Sequence, residues 1–358
     1  MQVNNEDGNR MKKIAIVGSK IYSGEAKVTN ALTEFLQSKG YEVTHFNDFI
    51  SHYQQRRWNF KLLRMWKRIF INSSEEALYI KNLAERIKSG CFDATIAVGM
   101  GDVLLYDLGC IKIYFCRAPM DHENYFKWVS WGNNDPELLE KVSELTKKQL
   151  SIFQASDYIT FAWKTYEEYI RKYIYDGANI LSNPKGGWSG CEFSSRRAVF
   201  NLPPAIVCLG GLGRYFINMS LLSRLSLKMP YLFDVYGSPA PDKKYGLRYR
   251  GPMVDVGNEL TRYQFGLNTV TSEILRRNGF SSKIFTYLSY GLPCLFNEWE
   301  KFPHELGGCI PYTEENITEV IERFFDKNAW EELSEQAYAQ AQDLLWDKML
   351  TPLLDVLK

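Results

Sequence analysis

Gly279-Phe280-Ser281-Ser282-Lys283-Ile284-Phe285-Thr286-Tyr287-Leu288-Ser289-Tyr290-Gly291-Leu292-Pro293-Cys294-Leu295 is the stretch on which the fold turns. A helix starts at Ser281 or Ser282, because a serine hydroxyl can satisfy a free N–H of a first helical turn. Ile284, Tyr287 and Leu288 share its buried face, Gly291 ends it, and Pro293 leads into an apolar strand. A lysine beside a helix N-terminus makes a site for an anion. Helix, glycine stop and buried strand in direct succession is the grammar of a parallel α/β sheet.

The same alternation runs outward in both directions. Lys13 to Val17 is an apolar run ending at Gly18, followed by a helix with Val28, Leu32, Phe35 and Leu36 on one face and Gly40 as its stop. Tyr41–Phe46, Asp93–Val98, Ile111–Cys116 and Asp157–Ala162 read as strands, with a long helix over Leu138–Phe153. Asn183 to Pro204 breaks the rhythm with Pro184, Gly186, Gly187, Gly190, Pro203 and Pro204. Strands resume at Ala205–Leu209, Tyr231–Tyr236, Phe265–Val270 and Leu292–Phe296, and Asn328–Lys358 is helical in pattern. The expectation is an α/β chain of two Rossmann-like domains facing a cleft, with ligands at the carboxyl ends of the strands. The divisions are a disordered leader over 1–10, a first domain over 11–190, a linker over 191–204, and a second domain over 205–341.

Composition agrees with that reading. The 358 residues exceed one ordinary hydrophobic core. The net charge of +1 argues against a protein that coats nucleic acid. Seven cysteines without a CxxC pair read as reduced, small core residues, and four histidines without ligand spacing predict no metal site. No stretch has the apolar length of a membrane span, and Met1 to Arg10 is too polar for a signal peptide, so a cytoplasmic location is expected.

The second domain opens on Gly210-Gly211-Leu212-Gly213-Arg214 after a strand. Glycines let a ligand approach the backbone, free N–H groups at a helix start favour an anion, and Arg214 adds a forked phosphate contact. The plain alternative is a tight turn, since the spacing matches neither the dinucleotide fingerprint nor a Walker loop.

The stretch 279–295 resembles the donor-binding signature of GT-B glycosyltransferases. In that family a Ser/Pro-x-Lys-x-x-Glu-Tyr-Leu-Ala-x-Gly-x-Pro segment forms the helix that holds the nucleotide diphosphate and ribose. Ser281-x-Lys283 and Tyr287-Leu288-Ser289-Tyr290-Gly291-Leu292-Pro293 match it. The family's ribose carboxylate falls at Thr286 and the first acid of its paired-glutamate form near Asn278, so Glu273 is the acid placed to compensate. Tyr231–Gly237 and Tyr249-Arg250-Gly251-Pro252 resemble other donor-domain elements. Ala341–Leu357, with Trp346, resembles the closing helices, so residues 342–358 are expected to return to the first domain. Donor contacts are expected at Gly211, Gly213, Arg214, Gly237, Arg250, Ser281, Ser282, Lys283 and Tyr287.

The resemblance assigns the acceptor and the base to the first domain. Gly18, Ser19 and Tyr22 follow the first strand, Gly99-Met100-Gly101-Asp102 another, and Arg117 to Glu123 the next. A base must take the acceptor hydroxyl proton, and Asp121, then His122, then Asp102 are the candidates. From Phe49 to Ser74 there are six bases and no acid. Arg57, Lys61, Arg64 and Arg68 fall on one helical stripe, beside Trp58, Leu62, Met65 and Ile69, with Trp66 and Phe70 in addition. That pattern fits a helix lying on an anionic membrane, or a surface helix docked on the sheet.

The function expected from these residues is a peripheral glycosyltransferase at the inner face of the membrane. Its donor is a nucleotide diphosphate sugar and its acceptor a glycan or lipid-linked glycan in surface-polysaccharide assembly, with no bound cofactor or metal. Inverting and retaining chemistry are both open. The rivals are a phage-type DNA glucosyltransferase, a nucleotide-sugar epimerase and a non-catalytic partner subunit.

Overall fold

The structure, a computed structural model, describes residues 11–19, 24–47, 73–99, 101–130, 132 and 136–358. The expected leader over 1–10, Tyr22, Met100 and the basic stripe with Arg57, Trp58, Lys61, Arg64, Trp66 and Arg68 lie outside the described residues.

The first sheet holds β1 (Lys13–Val17), β2 (Glu42–Phe46), β3 (Ala94–Val98), β4 (Ile111–Cys116) and β5 (Tyr158–Phe161), in the order β2-β1-β3-β4-β5. Its helices are α1 (Gly24–Ser38), α2 (Ser73–Ser89), α3 (Met120–Ser130), α4 (Pro136–Ala155) and α5 (Lys164–Tyr173). The second sheet holds β6 (Ala205–Gly210), β7 (Leu232–Gly237), β8 (Arg248–Gly251), β9 (Phe265–Leu267), β10 (Cys294–Asn297) and β11 (Cys309–Tyr312), in the order β11-β10-β9-β6-β7-β8. Around it lie α6 (Met219–Lys228), α7 (Val256–Leu260), α8 (Ile274–Arg277), α9 (Ser282–Ser289), α10 (Ile317–Glu322) and α11 (Lys327–Asp343), and α12 (Trp346–Leu350) comes after them. Every described strand pairing is parallel. Parallel sheets carry helices on both faces, and β3 accordingly is buried along its whole length.

Two expected helix stops hold. Gly40 (φ +84°) follows α1 and Gly291 (φ +60°) follows α9, each in the left-handed region open to glycine. The stretch 191–204, expected as a linker, is bonded to the second unit: Cys191 N–H donates to the Leu344 carbonyl, Ala198 N–H to Tyr290 and Val199 N–H to Thr261. The helical pattern at the end breaks at Leu345, and the chain beyond it returns to the first sheet. Leu350, Leu353 and Leu357 are buried in one cluster with Ile14, Ile16, Val28, Leu32 and Phe35. Lys12 Nζ donates to the Leu357 carbonyl at 2.8 Å.

Four of the cysteines are buried and unpaired, whereas Cys91 lies exposed in the turn after α2, against the expectation of a core residue. Among the described residues no helix is long and apolar enough to cross a membrane.

Candidate functional site

The two sheets present the carboxyl ends of their strands to a shared seam. On the second-domain side, β6 ends in the glycine turn, which Arg214 N–H closes by donating to the Gly211 carbonyl at 3.0 Å. The next helix begins only at Met219, where Asn218 Oδ1 accepts the Leu221 N–H. The anion-favouring helix start expected directly at this turn is therefore displaced. Within the turn the Leu212 and Gly213 N–H groups have no backbone partner among the described residues. Gly237 packs so closely that a Cβ would strike the Gly210 carbonyl, and a Cβ on Gly213 would stand 2.8 Å from Pro239. Both glycines are thus required by the approach of neighbouring strand ends.

Helix α9 faces the same turn. Ser281 takes the N-cap position, but its hydroxyl donates to Asn268 Oδ1 (2.9 Å) instead of capping. Ser282 and Thr286 line the cleft. The Lys283 Nζ is buried and has no hydrogen-bond partner among the described residues, and it comes within 3.4 Å of where a Cβ on Gly210 would lie. A lone ammonium withdrawn from water is costly unless a ligand answers it. Its nearby acid is Glu300, fully buried, whose carboxylate accepts from Asn268 Nδ2 (2.6 Å) and the Asn297 N–H (3.1 Å). Burial pushes the Glu300 carboxyl up to about 8, against the opposing pull of the Asn297 N–H, Lys283 and Asn268.

One expected donor contact is corrected. Tyr287 has no exposed surface: its hydroxyl accepts the Leu209 N–H at 2.9 Å and donates to the Leu267 carbonyl at 3.2 Å. It braces the ends of β6 and β9 from beneath and cannot reach a ligand. Arg250 lies along the edge of the sheet, its Nε 3.8 Å from Asp234, which Arg248 also pairs with at 2.8 Å. The Arg250 side chain is about half exposed.

In the first domain, a Cβ on Gly18 would stand 2.8 Å from Thr29 Oγ1, so this glycine lets α1 pack on the strand end, and Ser19 beside it is buried. Asp102 is ion-paired to Lys148 of α4 at 2.7 Å, which removes it from the candidate bases. Asp121 lies in the first turn of α3, not in a loop, and is fully buried, with neither carboxylate oxygen hydrogen-bonded. It cannot touch an acceptor itself. His122 is 30 % exposed; its Nε2 is 3.9 Å from Asp121, and its Nδ1 is 2.6 Å from the Tyr169 hydroxyl. Burial first, and the Asp121 charge second, push Tyr169 up to about 12, so it stays a phenol.

No local sequence signal marks the seam between the domains. Arg276 of α8 pairs with Glu123 of α3 at 2.9 Å, donates to the Tyr215 hydroxyl at 2.7 Å and lies 4.1 Å from the Phe216 ring centroid. Glu273 sits 3.6 Å from the same guanidinium, which occupies the acid expected to replace the missing carboxylate. Asn278 is held by Lys301 and by its own helix. Trp163 donates to Glu305 at 2.9 Å and packs edge-on against Phe285 and Phe302. Arg276 stands in an ordinary Leu-Arg-Arg run. Only the contact of α8 with α3, remote in sequence, makes it distinctive.

No family model matches the chain, and no curated protein does. Solved structures match along nearly all of it. A sucrose-phosphate synthase from Thermosynechococcus elongatus superposes with a TM-score of 0.64 at 12 % identity, covering 96 % of this chain and 98 % of that one. HepE from Anabaena, in complex with UDP and glucose, gives 0.60 at 11 % identity, covering 97 % and 99 %. An alpha-glucosyltransferase in complex with UDP and a 13-mer DNA gives 0.60 at 10 % identity, covering 97 % and 99 %.

The fold is GT-B.

In GT-B terms the glycine turn and α9 belong to the second domain and Arg117, Asp121 and His122 to the first, and Arg117 lines one pocket with Ser282 and Thr286. Among the described residues no group of His, Cys, Asp and Glu is arranged to hold a metal ion.

Proposed function

We propose that this chain is a glycosyltransferase that takes a sugar from a nucleotide diphosphate and passes it to a hydroxyl of a glycan or lipid-linked glycan. The observation that carries this reading is Lys283, an unanswered buried ammonium where the β6 glycine turn meets the start of α9. A diphosphate supplies the missing charge. Leu212 and Gly213 N–H groups, Arg214 and the free N–H groups of Ser282 and Lys283 complete the cradle. As the sugar departs, negative charge grows on the leaving phosphate, and donors fixed before the reaction stabilise it without reorganising.

On the acceptor side, His122 is the base in this proposal. With Nδ1–H donating to the Tyr169 hydroxyl, Nε2 is free to take the acceptor proton, and the imidazolium so formed lies next to the Asp121 carboxylate. Asp121 thus acts through His122. The basic sequence from Phe49 to Ser74 suits an anionic membrane surface, which supports an acceptor at the inner face of a membrane.

A thermal-shift screen with UDP, GDP, dTDP and CMP tests the donor half. A true ligand at 100 times its dissociation constant adds about 2.7 kcal/mol to the unfolding free energy, and Lys283→Met should remove that gain. If no nucleotide shifts the wild type, the donor reading falls. Salt-sensitive duplex DNA binding would move the acceptor to nucleic acid. Conversion of the donor with no acceptor present would identify an epimerase.

A further inference from the structure

Arg117 is the first residue after β4 and lines the cleft opposite Ser282 and Thr286 of α9. It is only partly buried and has no hydrogen bond or ion pair with any described residue. The other cation on its side, Lys27, is paired with Glu192 at 3.2 Å. The acids that act on Arg117 do so from beyond pairing distance. Glu123 is committed to Arg276, and the Glu25 carboxylate lies against Gly99. Desolvation accordingly lowers the proton affinity of the guanidinium.

Arg276 provides the comparison within the same seam. It too is partly buried, but Tyr215 and Glu123 surround it, and its proton affinity is raised despite the burial. A structural arginine in this protein therefore has its own counter-ions. Arg117 lines the cleft without one, so its guanidinium is left to take an anion that a ligand brings.

We propose that Arg117 is a phosphate ligand contributed by the first domain. It takes the nucleotide diphosphate held on α9 and the Gly211–Arg214 turn, so that the donor itself bridges the two domains. The inference rests on the donor reading above. A guanidinium presents a planar fork to two phosphate oxygens, which a single ammonium cannot reproduce. The sugar-bearing diphosphate then lies between a cation of each domain, and its departure as free nucleotide would follow loosening of the seam.

Arg117→Met and Arg117→Lys in the full chain test this by calorimetric titration with UDP, inorganic pyrophosphate and uridine, together with melting of the ligand-free proteins. Arg117→Met should bind UDP and pyrophosphate at least tenfold more weakly while uridine is unchanged. Arg117→Lys should recover only part of the loss. The ligand-free Arg117→Met protein should melt no lower than wild type, because an uncompensated charge has been removed. UDP affinity within twofold of wild type in Arg117→Met overturns the proposal and leaves the donor reading intact. A ligand-free melting point well below wild type overturns it too, because the residue is then structural. If wild type binds neither UDP nor pyrophosphate, both readings fall together.

Discussion

Glu300 is a carboxylic acid enclosed by protein, and its titration reports on the ground beneath the donor site. Its folded value of about 8 lies above the ordinary carboxylate range. Between roughly pH 4.5 and 8 the unfolded chain has lost this proton and the folded chain retains it. Unfolding therefore releases a proton, and stability falls as pH rises through that window, by about 1.4 kcal/mol per unit at most. Glu300→Gln removes the titration. Urea unfolding at pH 5, 6.5 and 8 should show the variant gaining on wild type at each step. A difference that stays constant with pH would mean that Glu300 is already ionised when folded. At this scale the sequence is a partial guide. Lys283 and Arg214 can be named from it because a cation after a serine cap or a glycine turn has a local meaning. Tyr287 is read only in part: its place on the buried stripe of the helix is local, but the bonds of its hydroxyl to Leu209 and Leu267 are tertiary. Arg117 and Arg276 differ only in what surrounds them, and no neighbour in the chain reveals that.

Among the elements, the turns that end β6 and β7 set the width of the donor cradle. Gly237 (φ +153°) admits no side chain against the Gly210 carbonyl. Gly237→Ala combines an unfavourable backbone angle with overpacking, and should lower stability by about 3–5 kcal/mol. Denaturant unfolding measures that loss, and UDP affinity should fall with it because the turn must shift. An unchanged midpoint would show that the two strand ends separate without cost. Elements of this kind are legible where they carry their own signals. The stops at Gly40 and Gly291 follow from glycine at the end of an apolar stripe. β8 and β11 escape a reading by pattern because each has only four residues and is partly exposed, which leaves no apolar run to detect. The start of α6 lies later than its glycine turn suggests, since Tyr215, Phe216 and Ile217 intervene between Arg214 and the capping Asn218.

For the whole molecule, the doubled alternation of strand and helix is enough to expect two facing domains, and the match to GT-B structures over nearly the full chain bears out that architecture. The set of contacts at the seam is not legible, because it joins residues more than 100 positions apart, such as Thr165 with Asn278 and Trp163 with Glu305. Leu353 belongs to the same class of long-range packing. It is fully buried against residues of β1 and α1. Leu353→Ala should cost about 2–5 kcal/mol, and hydrogen exchange should locate the loss in β1 and β3 and spare the second sheet. Faster exchange confined to the second sheet would contradict the crossing.

That crossing has a consequence for the birth of the protein. A ribosome delivers β1 to β5 long before it delivers Leu350, Leu353 and Leu357. During that interval the hydrophobic flank of the earliest sheet waits uncovered while an entire second domain is translated. The first domain is thus sealed only after the second has been made, and the nascent chain needs a chaperone most until these leucines have been delivered.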